Sequence, residues 1–332
     1  MKRHKNYHVF KAPDHYRLGL ALGRELGLYL RQTLRRESRK GSWKEKVERA
    51  VKYLPYARKF LPRYIDEYQG YARGAGVAFL DMWTVALDDE LGGGREKCTT
   101  IITNSGRLIS HNEDWEAGSE DRLCVVRKTV GRLTTLELFY KNTVGGNAVG
   151  INSRGFVHAV NEMHAEKRLG VPRDLIARWL ADSSSPEKDF WRFARMRRSS
   201  GDNHIFVGPD GEIWNIESTA GKQTMIRPPT PFVHANHYLT GLKRFQTLPS
   251  GGRKPPSTLP RYSFAKSTAR EKMTVDQLQS LADDESQGIK NSLTNETTIG
   301  KMIVDLDGRA AWIWLRREKS KGWIKYEIDW IK

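Results

Sequence analysis

Between Asp14 and Glu37 the apolar positions fall at Leu18, Leu22, Leu26, Leu30 and Leu34, a spacing that lines one face of an α-helix. Asp14, following Pro13, is the expected N-cap, and the basic residues at the far end suit the negative end of the helix dipole. Helical patterning returns over Trp43–Tyr53, Ala57–Arg73 and Phe79–Leu91, with breaks near Pro55, Pro62 and the Gly74-Ala75-Gly76 turn. Roughly the first ninety residues therefore read as almost purely helical.

At Cys98 the period changes. CTTIIT is short and β-branched, Asn104-Ser105-Gly106 is turn chemistry, and RLISHN is a second strand-length run. Hairpins follow around Asn152–Gly155, Pro209-Asp210-Gly211 and Asp307-Gly308, and helices interrupt them at Asp174–Ala181, Glu187–Arg198 and Val275–Ala282. The Pro- and Gly-rich stretch Leu248–Arg261 reads as a surface loop. A helical third followed by antiparallel hairpins predicts an α+β layered domain with its natural boundary at Cys98.

Composition narrows the class without naming a function. Hydrophobic residues make up 38%, aromatic residues 10% and charged residues 29% of 332 positions, which describes a folded globular chain. The apolar runs are too short to span a bilayer, and no apolar segment follows the basic N-terminus, so the expectation is a cytoplasmic protein without a membrane partner. Two cysteines cannot build a disulfide framework, and neither they nor the nine histidines fall in a metal-binding spacing, so no metal or cofactor is expected. The net charge of +17 is dispersed: residues 1–97 carry 21 basic against 12 acidic residues, so +9 lies there and +8 in the rest. No nucleic-acid-binding motif accompanies it, and a solvated basic surface is a better reading than a nucleic-acid site.

If Asn104–Gly106 is a three-residue loop, Thr103 faces Arg107 and Cys98 lies opposite Asn112, with Glu113 and Asp114 close by. An isolated cysteine at a strand head is ordinarily a small buried hydrophobe, but an amide and two carboxylates are unusual company for one. His111, His234 and His237 are available as bases, though no papain-like signature surrounds Cys98. Cleavage between Lys97 and Cys98 offers another route. The freed α-amine, with a pKa of about 7.7–8.0, could act as base for its own thiol. From residue chemistry alone, Asp114 also fits a turn before Trp115, Asn236 a cap or loop amide, and Asn161 a satisfied core amide.

The order CTT, Gly106 turn, Asn112-Glu113-Asp114 resembles the start of the β-subunit in the acyl-coenzyme A:6-aminopenicillanic acid acyltransferase family, peptidase-C45-like N-terminal nucleophile hydrolases. EYQGYARGAGVAFLDMWTVALDDEL upstream, and VGINSRGFVHAVNEMH, HANHYL and NETTIGKMIVDLDGRAAWI downstream, extend the likeness in order across residues 55–317. The resemblance implies an αββα sandwich made as a precursor that cuts itself before Cys98. The products would be a 1–97 α-subunit and a 98–332 β-subunit, a heterodimer from one chain forming one globular domain. It further implies Cys98 as nucleophile, Asp114 and Asn112 about the new amine, Asn236 as oxyanion donor and Asn161 as a supporting catalytic amide. The substrate would be a small-molecule or peptide acyl amide or thioester; the positive charge suits an acyl-coenzyme A donor. Lys97 replaces the glycine of the penicillin-processing enzyme, and Thr294-Asn295-Glu296 replaces its Ser-Arg pair, which points away from a penicillin-type substrate. The competing expectation is a catalytically inactive basic protein that binds nucleic acid or another anionic partner on the same scaffold.

Overall fold

The structure, a computed structural model, describes residues 3–92, 97–247 and 257–331. After strand β1 (Tyr7–Ala12) come helices α1 (His15–Glu37), α2 (Trp43–Val51), α3 (Leu54–Phe60), α4 (Pro62–Ala75), α5 (Phe79–Ala86) and α6 (Asp88–Leu91). Strands β2 (Lys97–Thr103), β3 (Leu108–Asp114), β4 (Leu123–Val130), β5 (Leu133–Tyr140), β6 (Val149–Asn152) and β7 (Val157–Met163) lead to α7 (Arg173–Leu180) and α8 (Pro186–Ala194). The chain continues through β8 (Gly201–Val207), β9 (Ile213–Ser218), β10 (Gln223–Ile226) and β11 (Phe232–His234) to α9 (Thr258–Thr268) and α10 (Val275–Ala282). It closes with β12 (Thr298–Asp305), β13 (Ala310–Leu315) and β14 (Ile324–Glu327).

Eight strands form one sheet in the order β1-β4-β5-β6-β7-β8-β9-β10, and six form the other, β11-β2-β3-β12-β13-β14. Alternation along the strands builds the layers. In β4, Leu123 and Val125 enter the core between the sheets, where Ile102, Ile109, Met302 and Ile313 meet them, while Cys124 and Val126 face the helical layer with Leu18, Leu22 and Tyr68. The outer face of the six-stranded sheet packs Ile101, Leu108 and Ile303 on Ala265, Leu278 and Leu281 of α9 and α10. The result is the expected four-layer αββα sandwich, with the N-terminal helices covering the larger sheet.

Asp14 caps α1 as expected, its carboxylate accepting from Arg17 N at 2.8 Å. The leucine stripe is buried, apart from the partly buried Leu34. Between the leucines, Gly19 and Gly23 lie against the backbone of Glu67 and Tyr71, and Gly70 and Gly74 of α4 lie against that of Tyr16 and Leu20. A methyl at any of the four would overlap a main-chain carbonyl, so α1 and α4 touch backbone to backbone.

Two expectations are corrected. The N-terminal third is not purely helical: β1 pairs in parallel with β4 at the edge of the larger sheet, a six-residue strand whose short apolar alternation is overshadowed by the helices after it. The hairpin after Cys98 has a four-residue loop rather than three, because Asn104 and Ser105 adopt positive φ and Arg107 remains in the turn. The Asn104 side chain fixes this geometry with two 2.9 Å bonds to the Met273 backbone, and Gly106 closes against Gly211, where any Cβ would collide. Thr103 thus faces Leu108, and Cys98 faces Glu113 rather than Asn112.

The helix crossing gives a stability prediction. Gly23→Val drives a branched side chain into the Tyr71 carbonyl and is expected to cost about 1–3 kcal/mol, measurable as a lowered urea midpoint; an unchanged midpoint would contradict the close crossing.

Candidate active site

A one-residue change of register moves side chains to opposite faces, and here it separates two sets of groups. Cys98, Thr100, His111 and Glu113 share the face whose apolar members, Ile102 and Ile109, enter the core between the sheets. Thr99, Asn112 and Asp114 share the face whose apolar members, Ile101 and Leu108, pack on α9 and α10. The thiol and Asp114 therefore lie on opposite sides of the sheet, close along the strands but separated by the backbone.

The Cys98 main chain is held from both directions. Strand β11 pairs with β2 only as far as His234 opposite Thr100, and beyond it Asn236 continues the pairing with its side chain, Oδ1 accepting from Cys98 N at 2.8 Å. Arg261 of α9, fully buried, donates through Nη1 to the Cys98 carbonyl at 2.8 Å and to the Thr99 hydroxyl, and through Nη2 to Asn236 Oδ1 at 2.7 Å. Its Nη1 is 3.9 Å from Asp114 Oδ2. Asp114 also accepts from Thr298 Oγ1 at 2.6 Å and Asn295 Nδ2 at 3.1 Å. Burial pushes the Asp114 carboxyl up from its ordinary value, with Arg261 and these two donors working against the rise. Burial likewise lowers Arg261, opposed by Asp114 and Cys98.

The other expected residues divide. Asn236 donates its NH₂ to the Glu162 carbonyl at 3.1 Å. Asn161 accepts from Thr100 Oγ1 at 3.1 Å, on the thiol face. Asn112 is not beside the thiol as the three-residue loop predicted; its NH₂ donates to the carbonyls of Ala282 and Leu293, both at 2.9 Å, and ties the end of α10 to β3. His234 pairs with Glu217 at 3.0 Å and His237 with Thr258 Oγ1 at 2.9 Å. His111 lies 2.8 Å from Glu113 Oε2, and Glu113 Oε1 accepts from the Cys98 thiol at 3.6 Å. Ligand atoms of Cys98, His111 and Glu113 lie within 4.8 Å of one another, close enough to close on a cation, a clustering invisible in the spacing of isolated residues. Lys97 is described only in its backbone, and Arg95 and Glu96 lie outside the described residues.

Arg261 escaped the sequence reading. It was assigned to a loop with Leu248, and residues 248–256 lie outside the described residues, but Thr258 begins a helix. Pro260 misled because proline is tolerated in the first helical turn, where no intrahelical N–H bond is lost.

Behind Asn236, Glu162 belongs to a buried acidic cluster around Arg173. Arg173 reaches Glu162 at 3.0 Å, Asp89 through Nε at 3.0 Å and Asp202 at 3.4 Å, and its backbone N–H donates to Glu90 at 2.8 Å. The cluster joins α6, which precedes Cys98 in the chain, to β7, α7 and β8, which follow it. Burial dominates its electrostatics: Asp174 is pushed far up, Glu90 is raised, and Asp202 is pushed up to about 8.

An α/β/β/α sandwich with a cysteine at the head of an inner strand, its backbone gripped by an amide and a guanidinium, defines the class of this protein. Residues 102–320 match the family described as Acyl-coenzyme A:6-aminopenicillanic acid acyl-transferase, and the chain belongs to that family. No curated protein sequence matches it significantly. Similar solved structures include a mutant conjugated bile acid hydrolase from Clostridium perfringens, 11% identical over 71% of this chain and 93% of that one, with a TM-score of 0.44. A second variant of that hydrolase is 9% identical over 70% and 92%, with a TM-score of 0.47. Penicillin V acylase from Agrobacterium tumefaciens is 11% identical over 66% and 83%, with a TM-score of 0.42. No helix among the described residues is long and apolar enough to cross a membrane.

Folded Asp202 keeps its proton up to about pH 8, whereas an unfolded aspartate releases it near 3.8. The folded chain binds the extra proton throughout that window, so this group's contribution to stability falls as pH rises through it. Asp202→Asn, neutral at every pH, is expected to gain in Tm relative to wild type as the pH rises from about 5 to about 8. A difference independent of pH would contradict the burial assigned to this carboxyl.

Proposed function

We propose that the chain is the precursor of an N-terminal-cysteine acyl-transfer enzyme, which cuts itself between Lys97 and Cys98 and then cleaves or transfers the acyl group of an amide or thioester. The observation that carries this reading is the grip on the Cys98 amide nitrogen by Asn236 Oδ1, 2.8 Å away. This is the atom that becomes the α-amine on cleavage, so the site holds the future base in place before it exists. Residues 1–97 and 98–332 would then be two subunits, and the buried contacts of Asp89 and Glu90 of α6 with Arg173 of α7 and with Ser199 would keep them together.

In the mature enzyme the α-amine takes the thiol proton, Sγ attacks the acyl carbonyl, and the protonated amine passes its proton to the leaving group. Water or an amine then resolves the acyl-enzyme. Arg261 fixes the Cys98 carbonyl and Asn236 together, and Asp114 acts through Arg261 rather than by touching the amine in the uncut chain. Asn236 serves the oxyanion if its NH₂ exchanges the Glu162 carbonyl for the substrate oxygen, a donor contribution of about 10²–10³ in rate. Asn161 steadies the thiol face through Thr100, and Asn112 steadies the strand from the other side. The substrate is a small-molecule or peptide acyl amide, with an acyl-coenzyme A donor favoured by the positive charge and the cytoplasm as the expected compartment.

On a denaturing gel the purified chain is expected to run as fragments of about 11 and about 27 kDa, the 38.1-kDa chain divided after residue 97 in ordinary proportion. Cys98→Ala is expected to stay whole; an uncut wild-type chain with full activity would sink the proposal. Arg261→Lys retains the charge but loses the planar fork that reaches three acceptors at once, and is expected to lower acyl transfer about 10²-fold. Near-wild-type turnover would remove Arg261 from the machinery.

A further inference from the structure

A terminal amine can act as base only after the chain is cut, so cleavage of the Lys97–Cys98 bond needs a different proton acceptor. On the thiol face three groups converge on Glu113. The Cys98 thiol at 3.6 Å and the Tyr140 hydroxyl at 2.7 Å both donate to Oε1, and His111 Nε2 is 2.8 Å from Oε2. The other imidazole nitrogen is 2.9 Å from Thr100 Oγ1, which donates its one hydrogen to Asn161 Oδ1. Thr100 therefore accepts from His111 Nδ1–H, and the imidazole is locked with Nε2 toward Glu113. Cys98, Glu113 and His111 are each at most 1% exposed, so bulk water does not compete for these bonds.

We infer that Glu113 is the general base of self-cleavage, an assignment that rests on the self-processing reading above. Glu113 Oε1 takes the thiol proton, and Sγ adds to the Lys97 carbonyl carbon. The C–N bond of Lys97–Cys98 breaks, the departing nitrogen takes the proton back from Glu113, and the residue 97 acyl group is left as a thioester on Sγ. Water then adds to the thioester, the C–S bond breaks, and the products are the Lys97 carboxylate and a free thiol beside a free α-amine. Nothing is oxidised or reduced. His111 is a positioning residue: with Nδ1–H given to Thr100, Nε2 must also carry a hydrogen to hold the carboxylate Oε2, and this ion pair leaves Oε1 turned toward sulfur.

The test follows full-length chains by intact mass from the moment of purification. Glu113→Gln keeps the side-chain size and removes the basic oxygen, and is expected to slow cutting by ~10²-fold or more, the size of a general-base contribution. Hydroxylamine, which cleaves thioesters, is expected to release no fragment from the Glu113→Gln chain, because the acyl shift itself is blocked. Cutting at the wild-type rate would overturn the assignment, as would a hydroxylamine-sensitive Glu113→Gln chain, which would show the shift proceeding without this carboxylate. If the wild type cuts and Glu113→Gln cuts equally, only the base assignment fails; if the wild type stays whole, self-processing fails with it. Glu113→Asp keeps a carboxylate but draws it back from sulfur by one methylene, so cutting is expected to slow by about tenfold or more yet stay faster than in Glu113→Gln. Cutting by Glu113→Asp at the wild-type rate would overturn the proposal, and this variant decides the matter if Glu113→Gln does not fold.

Discussion

The site depends on one buried guanidinium. Arg261 has no exposed surface; its Nη donors reach the Cys98 carbonyl, the Thr99 hydroxyl and Asn236 Oδ1, its Nε reaches Ser257 Oγ, and Asp114 lies 3.9 Å away. Taking such a cation out of water is costly, and the cost is met only if planar acceptors match its fork. This requirement fixes the head of β2, Asn236 two residues beyond β11 and the first turns of α9 relative to one another. The same acceptors fix both atoms of Cys98 that flank its side chain, N and C=O. A lysine would carry equal charge but could not span these acceptors in one plane.

The sandwich then divides the chemistry by face. Because strand side chains alternate, residues adjacent in sequence, Glu113 and Asp114, serve opposite layers. Asp114 meets polar partners on the helix side and stabilises the scaffold that holds the main chain; Glu113 meets the thiol between the sheets. A fold in which both faces of a strand are buried makes this possible, since neither set of groups is left to solvent. On the proposed self-cleavage, an uncut chain and a cut one would use different bases at one sulfur: the Glu113 carboxylate lies beside the thiol in the uncut chain, and the amine would arise at the nitrogen that Asn236 holds.

Much of this was legible in the sequence, and the remainder failed for identifiable reasons. The leucine spacing of α1 and its Asp14 cap are local signals, and the structure keeps both. The change of period at Cys98 pointed to an α+β layered domain, and the αββα order of its layers was what the family resemblance implied. The register missed by one because loop length depends on Asn104 being pinned to Met273, 169 residues away, which no local pattern reports. That single step moved Asn112 off the thiol face and brought Glu113 onto it. Strand β1 was missed because its partner, β4, is distant in the chain and parallel to it. Arg261 was missed because a proline in the first turn of a helix and a proline in a loop look alike in one dimension. Cys98, Asn236 and Asp114 were singled out through an ordered resemblance, yet the geometry of their connection through Arg261 came only from the structure.

The most direct test of the account is the mass of the peptide that begins at Cys98 after the enzyme is quenched during turnover of an acyl donor. The account predicts an N-terminal Cys98 peptide carrying the donor's acyl group, labile to hydroxylamine and absent from Cys98→Ala. Turnover with an unmodified Cys98, or with the acyl group on another residue, would contradict it.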